Sequence, residues 1–189
     1  MESMSNHVSV KNTRPGILLG ALCALMAAVT AVCSQIQIPL PMIPINLALF
    51  SVHLSGILLG PKYGSVSQAV YILLAAVGVP VLAGFSGGLG ALFGRTGGYA
   101  VGYILCAGLD GLLCRKWGAS FGKMCAAMAF GCAACYALGT VWFMAVTGLD
   151  IRTSLVSCVL PFLPGDAVKI VLAGWLALRV RPALQAMLK

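Results

Sequence analysis

Acidic residues are almost missing from this sequence. Only four carboxylates stand among 189 residues, and charged residues of both signs make up 8%. Soluble domains keep about a quarter of their residues charged, so an ordinary water-facing surface is excluded. A phosphate-cradling G-x-x-x-x-G-K-[ST] loop is also missing. The nearest stretch, GASFGKM (118–124), has the wrong spacing and no hydroxyl after its lysine, which excludes ATP-driven work by this chain alone. No nucleophile stands beside a base, and no metal cluster or cofactor motif can be read. That argues against an enzyme. Charge rings and a continuous polar stripe are lacking, which disfavours a channel. The basic residues form no face with groove-reading elements, so no nucleic acid is expected as a partner.

Apolar residues fill the space that charge leaves. They make up 60% of the chain, with a mean hydropathy of +1.01, and runs near the roughly 20 residues that cross a bilayer recur along it. The reading is all-α: an integral membrane bundle of six transmembrane helices over 16–36, 45–60, 64–79, 97–114, 122–147 and 164–181. Pro61 and Gly64 in GPKYG mark a tight turn between the short second and third helices. Residues 1–15 form a polar amino-terminal tail, and 16–185 form one domain. The first apolar run exceeds a signal-peptide core and lacks a small-residue cleavage site, so it is expected to be retained. Seven of the eight cysteines lie in or near apolar segments and Cys114 at a basic helix end, and they read as small packing residues. Cys132 and Cys135 are nominally C-x-x-C, without a second pair at zinc spacing.

Basic residues set an orientation. With both termini cytoplasmic, Lys11, Arg14, Lys62, Arg115, Lys116, Lys123, Arg179, Arg181 and Lys189 face inward, while Arg95 and Arg152 face out. The positive-inside rule favours this topology in a plasma membrane, and the net charge of +8 is then spent on topology and lipid headgroups. IPLPMIP (38–44), the Gly-rich LAGFSGGLGALFGRTGG (82–98) and the connection before PFLPGD (161–166) all reach the outer side. Irregular backbone at membrane depth is tolerated where protein buries it or where it lines a cavity. A pocket is expected there.

PFLPGDAVK (161–169) opens the last apolar segment and carries Asp166 and Lys169 at i and i+3, on one helix face. Each bare charge in a membrane segment costs about 2.5–3.5 kcal/mol on insertion scales. They must pair or meet a polar cavity. A bland account has Asp166 capping the helix and Lys169 reaching to headgroups. The functional account is a ligand site, an acceptor beside a donor, suited to a small cyclic urea or amide with apolar walls around it.

Two blocks carry a resemblance. PFLPGDAVK resembles the Pro-Gly-Asp-x-x-Lys signature of the BioY family, and the stretch from Gly56 to Tyr99, GILLGPKYGSVSQAVYILLAAVGVPVLAGFSGGLGALFGRTGGY, resembles that family's central block. The likeness covers nearly the whole chain. It implies the biotin-binding S component of an energy-coupling-factor (ECF) transporter, with a vitamin pocket near the outer face closed by the first outer loop. The partners implied are biotin, a transmembrane coupling subunit, separate ATPase subunits and lipid. No cofactor is implied. The signature acid and base fall on Asp166 and Lys169, expected to hydrogen-bond the polar end of biotin. The chain departs from the family at Asn46 and Ala48, where Thr and Gln are common, and at Arg95, where Pro is common. Another small vitamin is the alternative ligand.

Around that pair, Arg95 is a candidate for a ligand carboxylate. Tyr99 lines the pocket or sits in the interfacial aromatic belt, and Gly97 and Gly98 before it permit a tight helix start. Tyr71, with Gln68 three residues earlier, is a candidate wall or a packing residue. In the first helix Gly20, Ala24, Ala27, Ala28 and Ala31 give small-xxx-small spacings. The family pattern uses such a face to dock the coupling subunit, here through Gly20, Ala24 and Ala28. His53 has no partner at local spacing and reads as a packing residue, and Asp110 is expected to pair with a basic residue at its helix end.

Overall fold

The computed structural model of the chain describes residues 15–38 and 45–187. Most of IPLPMIP, the basic residues at 11 and 14, and the amino-terminal tail up to residue 14 lie outside the described residues.

The described chain is almost entirely helical. Helix α1 (Pro15–Gln35) leads into a small antiparallel pair of strands, β1 (Gln37–Ile38) and β2 (Ile45–Asn46), and then into α2 (Ala48–Ala76). A single three-residue 3₁₀ turn (Ala83–Phe85) and the short α3 (Leu89–Leu92) break the connection to α4 (Gly97–Trp117). Helix α5 (Phe121–Thr147) follows, and α6 (Ile151–Cys158) precedes α7 (Leu163–Met187). Segments of helix thus occupy all six expected intervals. Three of them, Gly16–Gln35, Gly97–Trp117 and Phe121–Thr147, are long and apolar enough to cross a membrane, and α6 with α7, bent by 50°, makes a fourth.

The tight turn expected from GPKYG falls one residue earlier than its Pro61. Gly60 breaks α2 with φ 78° and ψ −179°, a conformation that a side chain resists, and the helix restarts at Pro61, whose ring is preset for a first turn. Gly64 lies within the second half. A Cβ there would sit 2.8 Å from the Gly56 Cα, so the two halves run back along each other in close backbone contact. Gln68 crosses the same seam, donating to Ser55 Oγ at 3.0 Å and to Thr30 Oγ1 of α1 at 3.3 Å. These polar groups are fully buried, and their bonds to one another offset part of the cost of removing them from water, the Gln68 Oε1 atom having no partner among the described residues. Gln68 is therefore a helix-to-helix tie.

Small residues let α4 press against its neighbours. A Cβ on Gly56 would lie 2.5 Å from the Ala107 carbonyl oxygen, and one on Gly102 would lie 2.9 Å from the Cys135 sulfur. In a bilayer, where lipid competes with every apolar contact, such close approach is what drives helices together. The eight cysteines are all free, and seven of them are buried among the packed helices.

The bundle has two unlike ends. At one, Lys62 beside the α2 break, Arg115 and Lys116 at the end of α4, Lys123 at the start of α5, and Arg179 and Arg181 late in α7 collect together. Arg181 Nη1 reaches Cys114 Sγ of α4 at 3.6 Å. At the other end lie the start of α4, the start of α7 and the irregular segments. That end holds the cavity.

Candidate functional site

Asp166 and Lys169 meet in the first two turns of α7. Pro164 and Gly165 sit just inside the helix, where a missing N–H costs no hydrogen bond, and the Asp166 amide closes onto the Phe162 carbonyl at 2.8 Å. The carboxylate then stands where the helix dipole favours negative charge. Lys169 Nζ donates to Asp166 Oδ1 at 2.5 Å, and the Tyr136 hydroxyl of α5 donates to Oδ2. Asp166 is 1% exposed and Lys169 7%. This rules out Lys169 reaching to headgroups: its ammonium is turned inward onto its acid.

Both residues line a cavity enclosing about 700 Å³ of empty space, part of it open to solvent. Tyr71, Tyr99, Tyr103 and Tyr136 with Phe162 and Leu82 give it an amphipathic, mostly apolar wall, and Asn46 from β2 adds an amide. The aromatic rings are held from behind. Tyr71 donates to the Val81 carbonyl at 3.2 Å, and its ring lies 6.4 Å from that of Tyr103. The Tyr99 and Thr140 hydroxyls share a 3.1 Å hydrogen bond.

The structure brings together four of the five residues expected around the ligand. Asp166, Lys169, Tyr99 and Tyr71 share the cavity, while Arg95 is exposed and is not part of its wall. Gly97 and Gly98 act as expected. A Cβ on either would collide with the Leu92 backbone or the Trp142 side chain, so α4 starts tight against its surroundings. Sequence reading missed Tyr103, Tyr136, Phe162 and Asn46. The three aromatics look like lipid-facing residues in a linear apolar run, and only their position at i−4 from Ala107, i+4 from Cys132 and i−4 from Asp166 would have put them on inward faces.

A second group of polar side chains lies deeper, sealed between α2, α4 and α5. His53 Nδ1 and Asp110 Oδ2 are 2.6 Å apart, with Cys106 Sγ 3.7 and 3.8 Å away, and all three residues are fully buried. His53 does have a partner, and Asp110 pairs with it and not with a basic residue at the helix end. The partners are 57 residues apart in sequence, beyond the reach of local spacing. These three donors could surround a metal ion, but the His–Asp separation is that of a hydrogen bond, and among the described residues no fourth ligand completes a tetrahedron.

On α1, Gly20, Ala24 and Ala28 recur at i, i+4 and i+8 and are all exposed, whereas Ala27 is buried. The small residues thus divide into a face used inside the bundle and a face left open.

The profile of the BioY family matches residues 4–186. The chain belongs to the BioY family. A biotin transporter of that family from Thermotoga maritima is 41% identical over 157 residues, covering 83% of this chain and 92% of that protein. A probable biotin transporter from Pyrococcus horikoshii is 35% identical, covering 85% of this chain and 94% of that one. Among solved structures, the fold is similar to the S-component for biotin from an ECF-type ABC transporter, with a TM-score of 0.83 and 28% identity over 90% of this chain and 94% of that one. These BioY relatives are transport proteins.

Proposed function

We propose that this chain is the biotin-capturing S component of an ECF-type vitamin uptake transporter. The observation that carries the reading is a buried acid–base pair opening onto an apolar, tyrosine-rich cavity in a chain of the BioY family. Biotin presents ureido N–H and C=O groups at one end, a thioether ring in the middle and a carboxylate at the other. Lys169 keeps two N–H donors beyond the one given to Asp166, and Asp166 keeps lone pairs beyond those taken by Lys169 and Tyr136. The pair can donate to a carbonyl or carboxylate while accepting from an N–H. Tyr71, Tyr99, Tyr103 and Phe162 then cover the apolar part of the ligand.

In this reading residues 16–185 form a six-helix domain, with the two halves of α2 counted as two spans, and residues 1–15 are a tail. The basic end lies in the cytoplasm with both termini, which leaves the cavity facing outward. Arg95, exposed and next in sequence to Thr96 of the cavity wall, attracts the ligand carboxylate as it enters in this reading. The exposed Gly20–Ala24–Ala28 face of α1 docks the coupling subunit, and separate ATPase subunits supply the energy. Capture and release require ligand to bind the outward state more tightly than the inward one.

Radiolabelled biotin binding to the detergent-purified chain, with riboflavin and thiamine as competitors, tests the proposal. Saturable one-to-one binding displaced by unlabelled biotin alone is the expected result. Displacement by another vitamin would reassign the ligand, and chemical conversion of bound biotin would sink the transport reading.

A further inference from the structure

The last turn of α1 ends in two polar side chains that reach across to the cavity wall. Gln35 Nε2 lies 3.1 Å from the Val81 carbonyl and 3.0 Å from that of Leu82, with contacts at 3.3 Å to Ala31 O and 3.1 Å to Ser34 Oγ in its own helix. The amide oxygen of the same side chain accepts from the Phe85 N–H at 2.9 Å. Ser34 Oγ lies 2.5 Å from the Val81 carbonyl and 2.7 Å from Ala31 O, and Tyr71 donates to Val81 as well. The Val81 carbonyl therefore stands within hydrogen-bond reach of three donor groups from two helices. Leu82 and Ala83, immediately after it, line the cavity.

Within the segment, residues 81–86 are held by one bridge between Leu82 and Ser86, by the 3₁₀ turn and by Ser86 Oγ donating to the Ala83 carbonyl at 2.8 Å, while Leu82 is buried in the core. Phe85 is 71% exposed and sits at φ 54°, an uncommon backbone conformation for a bulky residue. Such a conformation persists only where surroundings impose it. The Gln35 oxygen on the Phe85 N–H is such an imposition.

We infer that Gln35, assisted by Ser34, is a positioning residue that holds 81–86 as a wall of the pocket and sets how long bound ligand stays. The inference rests on the pocket being the biotin site. It also joins two functions on one element: Gln35 lies seven residues beyond Ala28, about 10 Å along the same helix. A partner that shifts α1 through its exposed small-residue face moves the clamp with it.

Two measurements on the full chain test this, using Gln35→Met, which keeps length and removes every donor and acceptor. The first is hydrogen exchange at the amides of residues 82–86 without ligand. The second is the dissociation of tritiated biotin into excess unlabelled biotin. Loss of one or two net hydrogen bonds corresponds to about tenfold. The expected result is an exchange at Phe85 and a biotin dissociation each about tenfold faster, with association and the number of sites per folded molecule unchanged. Gln35→Glu, which keeps only the acceptor, should retain part of the Phe85 protection while still releasing biotin faster. Fewer sites with an unchanged dissociation rate would mean general destabilisation and would overturn the inference, as would unchanged exchange at Phe85. If the unsubstituted chain bound no biotin, the capture reading would fail, and the exchange measurement would still decide the clamp in either direction.

Discussion

Two buried acid–base pairs sit in this bundle, and they differ in what surrounds them. Asp166 and Lys169 are neighbours on one helix turn and face a cavity, with donors and acceptors to spare. His53 and Asp110 come from separate helices and are closed in by α2, α4 and Gly131 of α5, against which Asp110 Oδ1 rests. Desolvating either pair is costly. The first faces a cavity, where in the proposed reading a ligand would recover that cost, and the second joins α2 to α4. Burial of charge alone does not identify a site. An adjoining cavity does.

The comparison breaks most visibly through Asp110→Ala, which strands His53 in the interior. Removing one member of a buried pair destabilises by about 3–5 kcal/mol, so the detergent-solubilised chain should unfold several degrees lower. Biotin affinity per folded molecule should hold. Asp166→Asn should do the reverse. Hydrogen bonds to charged groups are worth about 1.5–3 kcal/mol, so the Kd for biotin should rise about 10- to 100-fold, while the unfolding temperature should fall less than for Asp110→Ala because Lys169 keeps an amide partner and a solvent-connected cavity beside it. If the two substitutions gave the same pattern, the division of roles would be wrong.

Smaller effects sharpen the contrast. Adding His53→Leu to Asp110→Ala should recover at least half of the lost stability, because replacing both partners removes the stranded polar group; thermal melts of the single and double variants measure this. Thr140→Val frees the Tyr99 hydroxyl and should weaken biotin binding only a few-fold, about 1 kcal/mol for one neutral hydrogen bond, read by equilibrium binding. Least of all should come from Asp150, which caps α6 by accepting from the Thr153 amide at 3.2 Å. The hydrogen bonds from Thr153 hold its carboxyl below the usual carboxylate range. The cap is intact above that range and is lost as pH falls through the lowered value. Circular dichroism of Asp150→Ala should differ from the parent chain at neutral pH and converge with it in strong acid.

The first pair was legible in the sequence and the second was not, for a physical reason. Asp166 and Lys169 are three residues apart beside Pro164, so spacing alone puts them on one face at a helix start. His53 and Asp110 meet only because Gly56 and Ala107 let α2 and α4 touch, a long-range fact that no local period encodes. The helical segments were readable for the same reason as the first pair: length and apolarity are local. The break at Gly60 was readable to within a residue from its glycine and proline. Helix α6 was not, because its eight residues, IRTSLVSC, lack a sustained apolar run. Tyr71, three residues after Gln68 on the expected third helix, and Tyr99, next to Gly97 and Gly98, were candidates from local sequence, whereas Tyr103 and Tyr136 needed the neighbouring helices to orient them.

The close helix contacts also shape how the chain can be engineered. Gly→Ala within a helix ordinarily stiffens the unfolded chain and adds about 0.4–1 kcal/mol of stability. At Gly56, Gly64, Gly102, Gly111, Gly131 and Gly139 the added methyl would collide with a neighbouring segment, so the usual route to a hardier protein is shut there. Space is open at Gly16, Gly20, Gly122 and Gly165. Gly20 belongs to the exposed face of α1, where bulk would compete with a docking partner, and the remaining three are where alanine can be introduced to toughen the molecule without crowding it.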